Sequence, residues 1–160
     1  MTQNASSSPS AVPPTIEEIS AAAADVNSAS NELGKAIEAL ENFLAVKNIG
    51  VPAWVRVKGW ENPDGQYWRR ELGYDRFEND WHIGIRETHG HEAYPEHESV
   101  YRWQFNNSPR KARISSADKL PELLNELIKE ATRTARRLRD KSGEVRAFAA
   151  TLIPPSAKRK

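Results

Sequence analysis

Three histidines and three carboxylates fall within the eleven residues from Thr88 to Glu98. Neutral imidazole and carboxylate oxygen are ordinary ligands of zinc and other divalent cations. We therefore consider a metal site formed by His89, His91 and His97, which would make the chain a metal-dependent enzyme. The spacing matches no known metal motif, because Pro95 stands where an H-E-x-x-H helix needs its second histidine. A solvated polar loop explains the same residues, so the metal site is one alternative.

A second group of chemically informative residues lies near the carboxyl end, where basic side chains recur at helical spacing. Such a strip can follow the phosphates of a nucleic acid. The alternative is a solvated helix face that attracts an acidic segment, since Glu130, Asp140 and Glu144 interrupt the strip. The residues that would contact a nucleic acid are Lys129, Arg133, Arg136, Arg137 and Arg139.

Aromatic residues are concentrated in the middle third of the chain, where residues 54–105 hold all five Trp and all four Tyr. At a period of two such side chains usually form a core, because each ring buries a large area. An exposed aromatic face would instead contact a partner. Trp54, Trp60 and Tyr94 are the candidate partner contacts. Strand alternation would place both tryptophans on the face that carries Arg56 and Lys58.

Catalytic signatures are missing from the sequence. It contains neither glycine-rich phosphate loop, G-x-G-x-x-G or G-x-x-x-x-G-K, and no G-x-S-x-G nucleophile elbow. It also has no cysteine, which excludes disulfides, thiol nucleophiles and cysteine-based metal sites. We therefore expect a protein that is not an enzyme and that carries no cofactor.

Two long segments with an apolar repeat bracket the aromatic block. The first, residues 15–48, opens with a T-x-x-E capping box formed by Thr15 and Glu18. The second, residues 118–152, has Pro121 in its first turn, where the missing N–H costs nothing. Alternating steps of three and four predict two helices of about 50 Å that pack in a coiled coil or bundle. The apolar positions are Ile16, Ile19, Ala23, Val26, Leu33, Ile37, Leu40 and Leu44 in the first segment, and Leu120, Leu124, Leu127, Ala131, Leu138, Val145, Phe148 and Leu152 in the second.

The block between the helices has the pattern of an antiparallel meander over residues 54–106. Asn62-Pro63-Asp64-Gly65 is a strong turn signal, because Pro presets φ and Gly accepts a positive φ. A second turn is predicted at Glu78-Asn79-Asp80. Alternating apolar residues on both sides of these turns predict four strands, each with one buried face.

Charge is distributed unevenly although the net charge is only +1. Residues 1–50 carry a net charge of −4, residues 51–107 carry −3 and residues 108–160 carry +8. An acidic first helix and a basic last helix attract each other, which favours antiparallel pairing. The excess positive charge at the carboxyl end is the one electrostatic indication of an outside partner.

These observations predict a single α+β domain over residues 15–153, with disordered tails at residues 1–14 and 154–160. Four strands would form a meander flanked by two long helices. The apolar stripes are wider than a two-helix contact needs, so we expect a homodimer that closes a four-helix bundle. The alternative is that the helices fold over one face of the sheet.

The expected function is that of a non-enzymatic, self-associating protein-interaction module. Nucleic-acid binding by the last helix and a metal-dependent enzyme at residues 88–98 are the alternatives. No apolar run is long enough to span a bilayer. The amino-terminal residues have neither the basic start nor the apolar stretch of a signal peptide, so we expect a cytoplasmic location.

Overall fold

The computed structural model describes residues 13–152, so the disorder predicted for residues 1–12 and 154–160 lies outside the described part of the chain. Two long helices and a short one pack against one face of a four-stranded sheet. In chain order the elements are α1 (Ile16–Lys47), β1 (Ala53–Glu61), β2 (Gln66–Phe77), β3 (Asp80–His91), β4 (Ser99–Gln104), α2 (Arg110–Ala117) and α3 (Leu120–Leu152).

The sheet is an antiparallel meander with the strand order β1-β2-β3-β4, which confirms the predicted topology. The first turn forms where it was expected: Gly65 has a φ of 84°, and its N–H donates to the carbonyl oxygen of Asn62 at 3.0 Å. The second turn contains only Glu78 and Asn79, between paired Phe77 and Asp80. Glu78 adopts a φ of 56°, a left-handed conformation that few non-glycine residues occupy.

Helix α1 begins at the predicted capping box. The Glu18 backbone N–H donates to the Thr15 hydroxyl at 3.2 Å, and the Thr15 N–H donates to a Glu18 carboxylate oxygen at 2.8 Å. Two of the backbone donors that a helix start leaves unpaired are thereby satisfied. The helix ends at Asn48, which adopts the left-handed conformation with a φ of 48°.

The hydrophobic core lies between one face of the sheet and the inner parts of the helices. Cross-strand pairing puts the core residues of the sheet on the same face, because directly paired residues project to the same side. Residues of α1, α2 and α3 complete the same cluster. Its buried members include Val55, Leu72, Tyr74, Ile83 and Ile85 from the sheet and Ile37, Leu44, Ala112, Leu123 and Leu127 from the helices.

The long helices make their extensive contacts with the sheet. Helix α1 packs against β3, and α3 packs against β1 and β2. The heptad pattern is therefore used for burial only along the half of each helix nearest the sheet. The predicted antiparallel pairing of α1 with α3 is not confirmed and remains a prediction.

Helix α2 was not predicted. Its sequence, R-K-A-R-I-S-S-A, contains one large apolar residue, Ile114, which is exposed. The buried residues that hold it are small, Ala112 and Ser116, so no apolar period marks it as a helix.

Candidate interaction site

The outer halves of the two long helices have little protein around them. We define the outer half of α1 as residues 16–29 and the outer half of α3 as residues 136–152. Every residue from Pro13 to Ala29 is exposed, and so is every residue from Arg136 to Phe148. A helix packed along one side would bury a stripe, so both halves extend away from the folded core.

Large apolar side chains face solvent on these outer halves. Ile16 is 77 % exposed and Ile19 58 %, whereas Leu138, Val145, Phe148 and Leu152 are each 64 to 65 % exposed. They continue the same repeat that buries Ile37 and Leu127 nearer the sheet. Exposed apolar residues repeated in this way leave surface that a contact with another molecule would remove from water.

A groove of about 240 Å³ opens between α1 and α2, at the inner end of the α1 outer half. Its lining is almost entirely apolar, and two arginines stand at its rim. We call it the α1–α2 groove; its residues are Val26, Ala29, Ser30, Leu33, Arg110, Arg113 and Ile114.

The two rim arginines of the α1–α2 groove have no carboxylate partner within residues 13–152. The Arg110 guanidinium donates to the side-chain oxygen of Asn27 at 2.8 Å. The Nε of Arg113 is buried and has no hydrogen-bond acceptor. The groove therefore combines apolar walls with positive charge that no carboxylate of residues 13–152 compensates.

The basic residues predicted to contact nucleic acid all lie on exposed positions of α3. Two of the five form ion pairs within α3: Lys129 pairs with Glu126 at 3.0 Å, and Arg133 pairs with Glu130. Arg136, Arg137 and Arg139 belong to the outer half, and no ion pair in the described chain includes them.

Trp54 and Trp60 lie on opposite faces of the sheet, against the sequence expectation. Arg56 pairs with Glu71 but Lys58 pairs with Arg70, so Val57 is an extra residue in β1. This β-bulge reverses the alternation. Trp54 and Arg56 therefore lie on the face opposite the core, which we call the polar face, and Lys58 and Trp60 lie on the core face.

At the end of the core face beyond the helices, aromatic side chains form a row across three strands. Trp60 pairs with Trp68, which pairs with His89. Trp60 is 54 % exposed, and the Lys58 ammonium lies 5.5 Å from the Trp68 ring centre. Tyr101 on β4 extends the row, with its ring centre 6.0 Å from that of His89.

On the polar face, aromatic rings lie over glycines of the neighbouring strand. The Trp54 ring occupies the space above Gly73, and the Phe77 ring occupies the space above Gly84. Arginines stack on the same rings: Arg86 lies 4.3 Å from the Trp54 ring centre and Arg102 lies 4.8 Å from that of Phe77. Both arginines are also ion-paired, to Glu71 at 2.7 Å and to Asp75 at 3.0 Å. Because these groups satisfy one another, this face has the character of a closed network.

The histidine-rich segment is divided between a strand and a loop. His89 and His91 belong to β3, whereas His97 lies in a short 3-10 turn, Pro95–His97. Tyr94 stands between two of them, with its ring centre 4.9 Å from that of His91 and 6.1 Å from that of His97. Within residues 13–152, no group of three or more histidine, cysteine or acidic side chains is gathered as metal ligands are. The metal site therefore remains a prediction without structural support.

Two tyrosines have shifted acidity. Burial raises the pKa of Tyr74, and the nearby Glu41 carboxylate raises it further. The hydrogen bond that the Tyr67 hydroxyl donates to Glu98 raises the pKa of Tyr67. Both shifts favour the neutral phenol, and neither group is placed with a nucleophile–base pair that would suggest catalysis.

Sequence reasoning missed the α1–α2 groove. One wall belongs to α2, whose helical character carries no apolar period, and Ile114 was therefore not linked to Val26 and Leu33. The signal that was available is the pair Arg110 and Arg113, spaced three residues apart after Pro109, a common helix-start residue.

None of the helices within the described residues is both long enough and apolar enough to cross a bilayer. The chain matches no protein-family model, no curated protein and no solved structure.

Proposed function

We propose that this protein is a non-enzymatic interaction module that associates with copies of itself through the outer halves of its long helices. The observation that supports the proposal is the exposure of Leu138, Val145, Phe148 and Leu152 at 64 to 65 % each, on a part of α3 where every residue from 136 to 148 is exposed. Covering an apolar residue of this size contributes about 1.5–3 kcal/mol relative to leaving it in water. A second molecule is the simplest source of that cover.

Charge distribution supports the same proposal. The outer half of α1 carries three acidic residues and no basic one, whereas the outer half of α3 carries five basic and two acidic residues. Opposite charges on two apolar helical surfaces attract in solution and orient the encounter. The antiparallel helix pairing and four-helix bundle expected from the sequence, and a cytoplasmic location, are part of this proposal.

The test is the mass of the full chain in solution between about 1 and 100 μM, by sedimentation and light scattering. We expect the mass to rise from 18.0 kDa toward twice that value. Two double variants test the outer halves: Ile16→Asn/Ile19→Asn in α1 and Leu138→Asn/Phe148→Asn in α3. At least one of the two should weaken association about tenfold or more.

The matched control is Val46→Asn, since Val46 is 82 % exposed on α1 but lies outside the outer half. This variant should associate as the wild type does. A strictly 18.0 kDa species at every concentration would overturn the proposal.

Nucleic-acid binding by α3 is the second candidate, favoured by Arg136, Arg137 and Arg139, three exposed arginines that form no ion pair within residues 13–152. Arginines that neutralise phosphates release counterions, so binding would weaken steeply with salt. We expect a labelled single strand or duplex to be retarded in a gel at 50 mM salt and released at about 200 mM. The triple variant Arg136→Gln/Arg137→Gln/Arg139→Gln should lose the shift, whereas Arg56→Gln on the sheet should keep it. Unchanged mobility of the labelled strand with the wild type at low salt would end this candidate.

A further inference from the structure

We propose that the α1–α2 groove receives the first turn of α1 from a second copy, so that two α1 outer halves cross antiparallel about a two-fold axis. This inference rests on the proposed self-association and specifies one of its contacts, the one made by α1. The occupant is the segment from Ile16 to Ile19, whose sequence, I-E-E-I, pairs two isoleucines with two acids. The groove offers the matching features, apolar walls and two rim arginines.

The spacing along α1 fits this arrangement. An antiparallel two-fold contact centred near Ala23 places each residue opposite the one that lies equally far on the other side of the axis. At 1.5 Å per residue, Ile16 lies about 10 Å from Ala23 in one direction and Ser30 lies about 10 Å in the other. Ile16 and Ile19 of one copy therefore meet the part of α1 in the other copy that lines the groove.

The centre of the crossing is occupied by small side chains. Residues 21–24 are four consecutive alanines, so two helices can approach to the short end of the usual 8–10 Å range. Ile16, Ile19, Ala23 and Val26 follow one another at steps of three and four and share the face that leads into the groove. The apolar surface is therefore continuous from the helix start to Leu33.

Opposite charges also face each other across the proposed contact. Glu17 is exposed in the first turn of α1 and makes no ion pair within the described chain, whereas Glu18 is engaged in the capping box. In the two-fold arrangement Glu17 of one copy lies near α2 of the other, where Arg110 and Arg113 have no carboxylate partner among the described residues. The same pair of contacts forms twice, once on each side of the axis, as an isologous dimer requires.

A charge-reversal experiment tests this geometry directly. Glu17→Arg alone and Arg113→Glu alone should each raise the dimer dissociation constant about tenfold or more, because each places like charges at both contacts. Mixing the two variants should restore association to within about threefold of the wild type. In the mixed dimer, one contact has the reversed pair and the other has the native pair.

Arg110→Glu provides a second partner for the mixing experiment, since Arg110 is exposed and its replacement does not disturb a buried group. Ile19→Asn should weaken association about tenfold, and Val46→Asn should leave it within about twofold of the wild type. Circular dichroism of each variant checks that the helices are retained.

The outcomes separate this inference from the proposed function. A wild-type chain that stays monomeric overturns both. A dimer that tolerates Ile19→Asn and the charge reversals but is lost in Leu138→Asn/Phe148→Asn keeps the proposed function and overturns the groove contact. Failure of the mixed variants to associate, when each is folded, also overturns it.

Discussion

On the polar face of the sheet, aromatic rings pack directly against the backbone of glycines. A Cβ atom at Gly73 would come far closer to the Trp54 ring than van der Waals contact allows, and one at Gly84 would do the same with the Phe77 ring. Gly90 holds Tyr67 in the same way. Each ring covers the backbone that glycine leaves bare, so these residues are required by close packing and not by a turn.

The first prediction concerns Gly73 and Gly84, against which two of these rings pack. Gly73→Ala and Gly84→Ala should each lower the free energy of unfolding by about 1–3 kcal/mol, because the added methyl overpacks a site with no free volume. Urea unfolding of each variant measures the change. Gly143→Ala is the matched control: a Cβ there has no neighbour within 4 Å, and alanine in a helix should be neutral or stabilising by up to about 1 kcal/mol. Equal effects at all three glycines would contradict the assignment of the rings.

The second prediction concerns pH and Tyr74. Burial raises the pKa of this phenol above its unfolded value near 10, so its contribution to stability is present below pH 10 and is lost as the pH rises through the folded value. The urea midpoint of the wild type should therefore fall above pH 10. Tyr74→Phe removes the ionisable group and should make that fall smaller. Parallel curves for the two proteins between pH 8 and 11 would show that Tyr74 does not contribute to it.

At the scale of elements, α1 is held to the sheet by a bond that closes a strand edge. Strand β4 pairs with β3 only from Gly84 to His89, so the start of β3 lacks a partner on that side. The Ile83 N–H points from this edge and donates to Oε1 of Glu41 on α1 at 2.7 Å. The other carboxylate oxygen lies 3.4 Å from Nδ1 of His82. One side chain thus satisfies an edge donor and fixes the position of the helix.

The third prediction follows from this bond. Glu41→Ala leaves the Ile83 N–H without an acceptor and should cost about 1–3 kcal/mol of unfolding free energy. Glu41→Gln keeps one acceptor oxygen and should cost less than half as much. Denaturant unfolding measures the stability, and amide exchange at Ile83 reports the bond itself. If Glu41→Ala leaves both quantities unchanged, α1 is not anchored through this residue.

The sequence predicted elements where a local signal is strong and failed where the decisive feature is one residue or one short helix. The α1 start and the first turn formed as expected because their hydrogen bonds are local: Thr15 bonds with Glu18, and Asn62 bonds with Gly65. The bulge at Val57 has no such signal, because any residue can be the extra one. It moved Trp60 to the other face and separated it from Trp54, which no counting of alternation would have revealed.

Helix α2 illustrates the other limit of sequence-based prediction. It is held by the small residues Ala112 and Ser116, and a period of small residues does not stand out from a polar loop. The α1–α2 groove, which depends on this helix, could not be anticipated. The two helical stripes were recognised, but their pattern is the same where it meets the sheet and where it meets solvent, so it did not reveal which half would be buried.

At the scale of the whole molecule, the chain divides into a packed body and two helical extensions. The body holds the sheet, α2 and the inner halves of α1 and α3, and its core contains Leu72, Ile85 and Leu123. No core residue of the described chain lies in the extensions, and an isolated helix of about 14 residues is marginal in water. Their helicity should therefore depend on what they contact.

The last prediction is that order in the outer half of α1 increases with protein concentration. Amide exchange in residues 16–29 should slow at least fivefold between about 5 and 500 μM, because association removes the end of the helix from solvent and couples its folding to binding. The Ile85 amide, at the centre of the sheet, should exchange at the same rate at both concentrations. In Ile19→Asn the concentration dependence should disappear while the helix cap at Thr15 remains intact. If the wild-type rates in residues 16–29 are the same at 5 and 500 μM, this half of α1 is ordered without a second copy, and its exposed isoleucines serve another contact.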